Sequence, residues 1–248
     1  MQRVYFEDLG QMDYKTAWDY QEQLLRENVE VKSLARSQES LADTGGSYSQ
    51  LTTDYSRLTT KHSLLFAEHP PVYTLGKSGK IENVLITEKQ RQAKGIEFFY
   101  TNRGGDITFH GPQQIVGYPI LDLEKFYTDI GRYLRDLEEV IILTMADYGL
   151  RGERSAGETG VWLEPGIKGK ERKIAAIGVR CSRWITMHGF AFNINTDLSY
   201  FNYIIPCGIQ NKQVTSLAAE LKREVSLSQA KDSVKKNFEK VFDVQLTS

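Results

Sequence analysis

The sequence predicts an α+β fold in which a mixed central β-sheet is flanked by helices. Short apolar runs with strand character recur along most of the chain, from Leu64-Leu65-Phe66-Ala67 to Phe190-Ala191-Phe192-Asn193-Ile194. Three other segments carry their apolar residues at helical spacing. These helices do not alternate strictly with the strands, as a doubly wound parallel sheet would require.

Val4 to Leu9 reads as a strand. Asp13 to Asn28 reads as a helix, with Ala17, Tyr20, Leu24 and Leu25 close to helical spacing. From Ala35 to about Ser56 the chain turns polar around Gly45-Gly46, which reads as a mobile surface loop or a helix extension. Leu64 to Ala67 begins a buried strand, and His69-Pro70-Pro71 breaks the chain before the extended run Val72 to Gly76. Gly95 to Tyr100, Ile107 to Phe109 and Val116 to Ile120 read as further strands, with Pro119 pointing to a sheet edge or a bulge. The period then changes: Ile130, Leu134, Leu137, Ile141 and Met145 mark a helix that Gly149 stops. Val161 to Leu163, Ile174 to Val179 and Phe190 to Ile194 return to strand character. Ser226 with Gln229 has the form of a capping box, opening a helix striped by Leu227, Ala230, Val234, Phe238 and Val241.

The 248 residues can bury a substantial core and are read as one domain. A formal net charge of −1 speaks against a dedicated nucleic-acid binder. Two cysteines, Cys181 and Cys207, make no disulfide framework, and the first residues lack the apolar run of a signal peptide. The most apolar stretch, Val140 to Met145, is too short to span a bilayer. The expectation is a soluble, cytoplasmic protein.

Four stretches stand out chemically. In Tyr203-Ile204-Ile205-Pro206-Cys207-Gly208-Ile209 a thiol sits between a residue that fixes φ and one that permits a sharp turn. Such a cysteine is either a small buried hydrophobe or a presented nucleophile. In Arg103-Gly104-Gly105-Asp106 two glycines after an arginine let the backbone approach a ligand, or simply make a tight hairpin. A strand follows rather than a helix, which excludes a phosphate-cradling loop of the P-loop or Rossmann kind. Lys173 precedes a strand whose Ala175, Ala176 and Gly178 leave room for a narrow apolar ligand, and it also reads as a solvated lysine. His188-Gly189-Phe190-Ala191 repeats the theme of a histidine before a small-residue strand.

Together these stretches resemble the lipoyl(octanoyl) transferase family, from His69-Pro70-Pro71-Val72-Tyr73-Thr74-Leu75-Gly76 to Cys207-Gly208-Ile209. The segment Arg103-Gly104-Gly105-Asp106-Ile107-Thr108-Phe109-His110-Gly111-Pro112-Gln113-Gln114 is its most specific part. The polar segment near 35–56 is longer than the family pattern. The resemblance implies the fold of lipoate and biotin protein ligases, spanning residues 1–248 as one catalytic domain. It implies transfer of an octanoyl group from acyl carrier protein to the lysine of lipoyl domains, those of 2-oxoacid dehydrogenase complexes and the glycine cleavage H protein. No cofactor, metal, nucleic acid or membrane is implied. Cys207 and Lys173 map onto the family's catalytic pair. Its acyl pocket maps onto Arg103, Gly104, Gly105, Asp106, Ile107, Thr108, Phe109 and His110, then Ala176, Ile177 and Gly178, then Gly189, Phe190 and Ala191.

The implied chemistry needs a thiolate at Cys207, which a cation at Lys173 would favour over a free thiol of pKa near 8.5. The same lysine would protonate the leaving thiol and later take a proton from the acceptor amine. Backbone N–H groups near Gly178 or beside Cys207 are the expected oxyanion donors. Cys181 is expected to be structural, and His110 and His188 to shape the pocket without ligating a metal. Both partner classes in the family are acidic, and Arg151 to Arg183 holds eight Lys/Arg against four Glu, a charge suited to steering them. The competing readings are an ATP-dependent ligase of the same superfamily, a Cys–His hydrolase using His110 or His188, and a carrier-binding module without chemistry.

Overall fold

The computed structural model describes residues 1–43, 59–205 and 213–248, with side chains throughout except at 38–43. The chain forms β1 (Gln2–Gln11), α1 (Tyr14–Asp43), β2 (His62–Glu68), β3 (Val72–Leu75), α2 (Glu88–Ala93) and β4 (Glu97–Tyr100). There follow β5 (Ile107–His110), β6 (Gln114–Ile120), α3 (Ile130–Asp147), β7 (Glu153–Ser155), β8 (Glu158–Leu163), β9 (Arg172–Ser182) and β10 (Ile185–Asn193). After the second gap come β11 (Gln213–Val214), α4 (Leu217–Leu221), α5 (Leu227–Phe242) and β12 (Val244–Thr247).

The main sheet has the order β12-β1-β2-β6-β10-β9-β8-β7, with β11 joined to β9, and a second sheet has the order β4-β3-β5. β1 is parallel to β12 and β2, and β11 to β9; the other pairs of the main sheet are antiparallel. This is the mixed sheet flanked by helices that the element pattern predicts. On one face α3 and α5 bury Leu137, Val140, Ile141, Val234 and Phe238 with Phe190 and Phe192 of β10. On the other, Ala17 and Leu25 of α1 pack with Val116, Tyr118, Met187 and Ala191. The small sheet has its own core of Tyr73, Ile107 and Phe109, joined by Ile204. Among the described residues no helix is long and apolar enough to cross a membrane.

Two expectations change. The first helix runs past Asn28 to Asp43, so the polar stretch begins as the helix extension, one of its two readings, while 44–58 lies outside the described residues. Its buried stripe turns polar at Asn28 and Lys32, whose partners are remote: Asn28 brackets Lys61 through bonds of 2.7 and 2.9 Å, and Lys32 Nζ donates to Asp122 at 2.7 Å. Pro119 does not mark an edge, because β6 lies between β2 and β10. The β6–β10 ladder ends at Gly117↔Phe190, so the amide that proline lacks is not required by β10.

Candidate active site

A cavity of about 730 Å³ lies between the main sheet and the segment from Arg103 to His110. Its floor is cleared by small residues at matched positions, Ala176↔Ala191 and Gly178↔Gly189 across β9 and β10. A Cβ on Gly178 would stand 2.7 Å from the Gly104 carbonyl oxygen, and one on Gly189 would stand 2.1 Å from that of Gly117. Only glycine allows these approaches. The first brings the Arg103 loop onto β9, where the Gly104 amide donates to the Val179 carbonyl at 2.9 Å, and the second brings β6 close to β10.

Arg103 is buried, contrary to the exposed arginine of a plain hairpin. Its guanidinium donates to the Thr74 carbonyl at 2.6 Å, to Thr74 Oγ1 at 2.9 Å and to the carbonyls of Gly104 and Asp106 at 2.9 Å each. The arginine therefore holds its own loop in shape. Asp106 continues the frame, accepting from Ile107 N at 2.6 Å and from Asn83 Nδ2 at 2.7 Å.

All the other residues of the predicted pocket line this cavity, but Phe109 does not. Phe109 stacks on Tyr200 with ring centres 4.6 Å apart, edge-on to Phe201, inside the core of the small sheet. Thr108 and His110 face the cavity, Ile107 borders both it and that core, and Phe109 lies in the core. Sequence reasoning missed Tyr14, Val116, Tyr118, Gln114 and Asn193, which also line it. The alternation of Val116 and Tyr118 on β6 was a usable signal; Tyr14, at the start of a helix remote in sequence, offered none.

Lys173 lines the same cavity further back along β9. Its Nζ lies 4.6 Å from the centre of the Trp162 ring, a cation–π contact. Gly160, at φ +120°, leaves space for the lysine stem; a Cβ there would fall 3.4 Å from Lys173 Cε and 2.5 Å from the Ala175 carbonyl oxygen. The Gly160 amide donates to Oε1 of buried Glu138 at 2.9 Å. Burial pushes the Glu138 carboxyl up, against the pull of that amide, Arg135 and Arg154.

Cys207 lies outside the described residues. The chain on both sides of it is anchored at this site. The Ile205 amide donates to the Asn83 carbonyl at 2.8 Å, and Asn83 in turn bonds Asp106. Beyond, Gln213 and Val214 pair with Arg172 and Lys173, and the Thr215 amide donates to the Lys173 carbonyl at 2.9 Å. Cys181, by contrast, packs against the main core, and burial pushes its thiol up.

The four histidines are buried and their hydrogen bonds define them as neutral rings. His188 faces Asn102 Oδ1 through Nε2 at 2.7 Å, and Asn102 donates its amide nitrogen to Glu22, so Nε2 carries the proton. Nδ1 of His188 is then an acceptor with no hydrogen-bond partner among the described residues. His69 faces the Met12 carbonyl through Nδ1 and accepts from Tyr118 through Nε2, both at 2.7 Å. Burial lowers His69 to about 4. Burial, with the charges of His69 and Arg103, lowers His110 to about 3. Burial, with Arg103 and Arg180, lowers His188 to about 3, and His62 is lowered by burial as well. His69, His110 and His188 are too weakly basic to serve as general bases near neutral pH. Among the described residues no three His, Cys, Asp or Glu side chains group as metal ligands.

These shifts carry a stability prediction. The folded pKa values lie below the unfolded value of 6.5, so the contribution is full above about pH 6.5 and is lost as protons bind the unfolded chain first. Each strongly shifted ring loses on the order of 1.5 kcal/mol between pH 6.5 and 5. Melting temperature measured from pH 8 to 5 should hold steady, then fall by roughly 10 °C or more below pH 6.5. A flat profile to pH 5 would contradict the buried neutral histidines.

Much of the basic surplus between Arg151 and Arg183 is already paired. Arg154 reaches Glu138 and Glu139, Arg172 reaches Glu164 and Glu220, and Arg180 reaches Glu22. Lys168 and Lys170 stay exposed beside Ile167, itself 48% exposed.

Residues 13–239 match the model of the lipoyl protein ligase A/B catalytic domain. The chain is 51% identical to an octanoyltransferase of Christiangramia forsetii, over 96% of this chain and 95% of that one. It is 54% identical to an octanoyltransferase of Flavobacterium psychrophilum, over 97% of each. Among solved structures, a bi-partite lipoate protein ligase of Thermoplasma acidophilum superposes with a TM-score of 0.66 at 14% identity, covering 100% of this chain and 87% of that one. A lipoate-protein ligase A bound with ATP gives 0.62 at 14% identity, over 76% and 75%. At those identities the structural likeness speaks for the fold.

Proposed function

Because the chain belongs to the lipoyl protein ligase A/B catalytic-domain family and is, with its relatives, a transferase, we propose that it moves an octanoyl group from acyl carrier protein to lipoyl domains through a thioester on Cys207. The observation that carries this reading is the position of Lys173 on the wall of the cavity that Gly178 and Gly189 keep open. An extended acyl chain needs a narrow apolar floor, and the lysine lies on the same strand as that floor.

In the first half the Cys207 thiolate attacks the octanoyl carbonyl. A carbon–sulfur bond to Cys207 forms, the bond to the carrier's pantetheine sulfur breaks, and Lys173 gives that sulfur its proton. The exchange replaces one thioester by another, so no nucleotide is consumed. In the second half the amine of the acceptor lysine attacks the Cys207 thioester. A carbon–nitrogen bond forms, the cysteine leaves as thiolate, and the surplus proton of the amine passes to Lys173. The acceptors are lipoyl domains of 2-oxoacid dehydrogenase complexes and the glycine cleavage H protein, and the reaction belongs to the cytoplasm. Arg103 supports the pocket wall and takes no part in proton transfer. The hydrolase reading is disfavoured because His110 and His188 are buried, hydrogen-bonded and held neutral.

The test is intact-protein mass after mixing with octanoyl-acyl carrier protein. The expected product is one octanoyl adduct, labile to hydroxylamine, located on Cys207 by peptide mapping and discharged by a lipoyl domain. Transfer without an adduct under rapid quench would refute the thioester route, and release of free octanoate in place of transfer would favour hydrolysis.

A further inference from the structure

We propose that Gln114 and Asn193 are positioning residues that set the main chain of Lys173 against the acyl pocket through a one-way chain of hydrogen bonds. The proposal rests on the assignment of Lys173 as the proton carrier.

The chain begins at Arg103, whose guanidinium can only donate. It donates to Thr74 Oγ1 at 2.9 Å, which leaves the threonine hydrogen for His110 Nε2 at 3.3 Å. His110 Nδ1, at 2.9 Å from Gln114 Oε1, must then carry the ring proton and donate it. With its oxygen so engaged, Gln114 donates through Nε2 to Asn193 Oδ1 at 2.8 Å. Asn193 donates through Nδ2 to the Thr215 carbonyl at 3.0 Å, and the Thr215 amide donates to the Lys173 carbonyl at 2.9 Å. Every link donates in the same direction. Turning either carboxamide over would set donor against donor or acceptor against acceptor, so one orientation is consistent with both ends.

Thr74, His110, Gln114, Asn193 and Thr215 are all buried, where such a chain is polarised along its length and costly to leave half made. Gln114 and Asn193 are partners across β6 and β10, so the chain crosses the sheet at a fixed register. Its ends are the loop that walls the pocket and the residue placed to move protons. Thr215 also follows directly on Gln213–Val214, the strand paired with Arg172 and Lys173, and it donates through Oγ1 to Glu220 at 2.6 Å. The same contacts thus register Lys173 against Gln213–Thr215. A misplacement of about 1 Å at a reacting group can cost 10²-fold in rate.

The test is Asn193→Asp, which keeps the shape of the side chain. As a carboxylate it still accepts from Gln114 but cannot donate to the Thr215 carbonyl; protonated, it can. The expected result is octanoyl transfer slowed about 10- to 100-fold at pH 9, with KM for the octanoyl carrier unchanged. The deficit relative to the parent should shrink as the pH is lowered towards 6.5. Gln114→Glu, which loses the donation to Asn193, should show the same profile and serves if the first variant does not fold. A deficit independent of pH, or one confined to KM and melting temperature, would mean a merely structural role and overturn the proposal. In a Lys173→Met background Asn193→Asp should add no further loss. If Lys173→Met is crippled while Asn193→Asp matches the parent in rate and pH profile, the positioning role alone falls. If Lys173→Met is fully active, the assignment of Lys173 falls and takes this proposal with it.

Discussion

Cys207→Ala is expected to abolish octanoyl transfer, a loss on the order of 10⁴-fold or more, because it removes the atom that carries the acyl group between partners. Pro206 before the cysteine and Gly208 after it make alanine easy to accommodate, so the melting temperature should stay near that of the parent. Carrier binding should survive as well, since the cavity is walled by other residues. The measurement is steady-state transfer to a lipoyl domain, beside the thermal melt. A variant that retains a tenth of the parent rate would show that the acyl group passes directly from donor to acceptor. The side chain beyond Ile205, which Asn83 fixes through its carbonyl, would then have some other role.

Lys173→Met should lower transfer by about 10³-fold at pH 7, and unequally in the two halves. Methionine keeps length and can still lie on Trp162 beside Gly160, so what is lost is the proton carrier rather than the packing. The first half loses the donor to the leaving sulfur, but a thiolate leaves tolerably without one. The second half needs a neutral amine, and at pH 7 only about one lysine in a few thousand is neutral. Single-turnover experiments should therefore find slow discharge of a pre-formed acyl-enzyme, with the deficit narrowing as the pH rises to 9. Equal deficits in both halves, independent of pH, would point to displaced geometry instead of a missing base.

The longer strands and the helices α3 and α5 were legible from their apolar patterns, whereas the short elements α2, β7, β11, α4 and β12 were not. The stripe Leu137, Ile141, Met145 of α3 is one example, and the run of β2 another. The length of α1 was not legible. Beyond Leu25 its buried face is held by Asn28 and Lys32, whose partners Lys61 and Asp122 are distant in sequence, and a scan for apolar spacing stops there. The glycines and alanines of the acyl pocket could be read as space beside a strand. Which side of β5 faces that space could not, and Phe109 packs in the core of the small sheet instead of lining the cavity. Gln114 closed a motif already singled out, yet its role depends on Asn193, a cross-strand neighbour that no local spacing reveals.

The pairing of β1 with both β2 and β12 has a consequence for how the chain is made. β1 leaves the ribosome before its inner neighbour β2, which follows within some fifty residues. Its outer neighbour, β12, is translated only after every other strand of the sheet among the described residues. During synthesis β1 therefore presents an unpaired edge, with Tyr5 47% exposed even in the finished fold. Closure of this edge waits for β12, a contact of very high sequence separation that forms slowly. Nascent chains stalled before Val244 should be the form most prone to stick to one another and most dependent on chaperones.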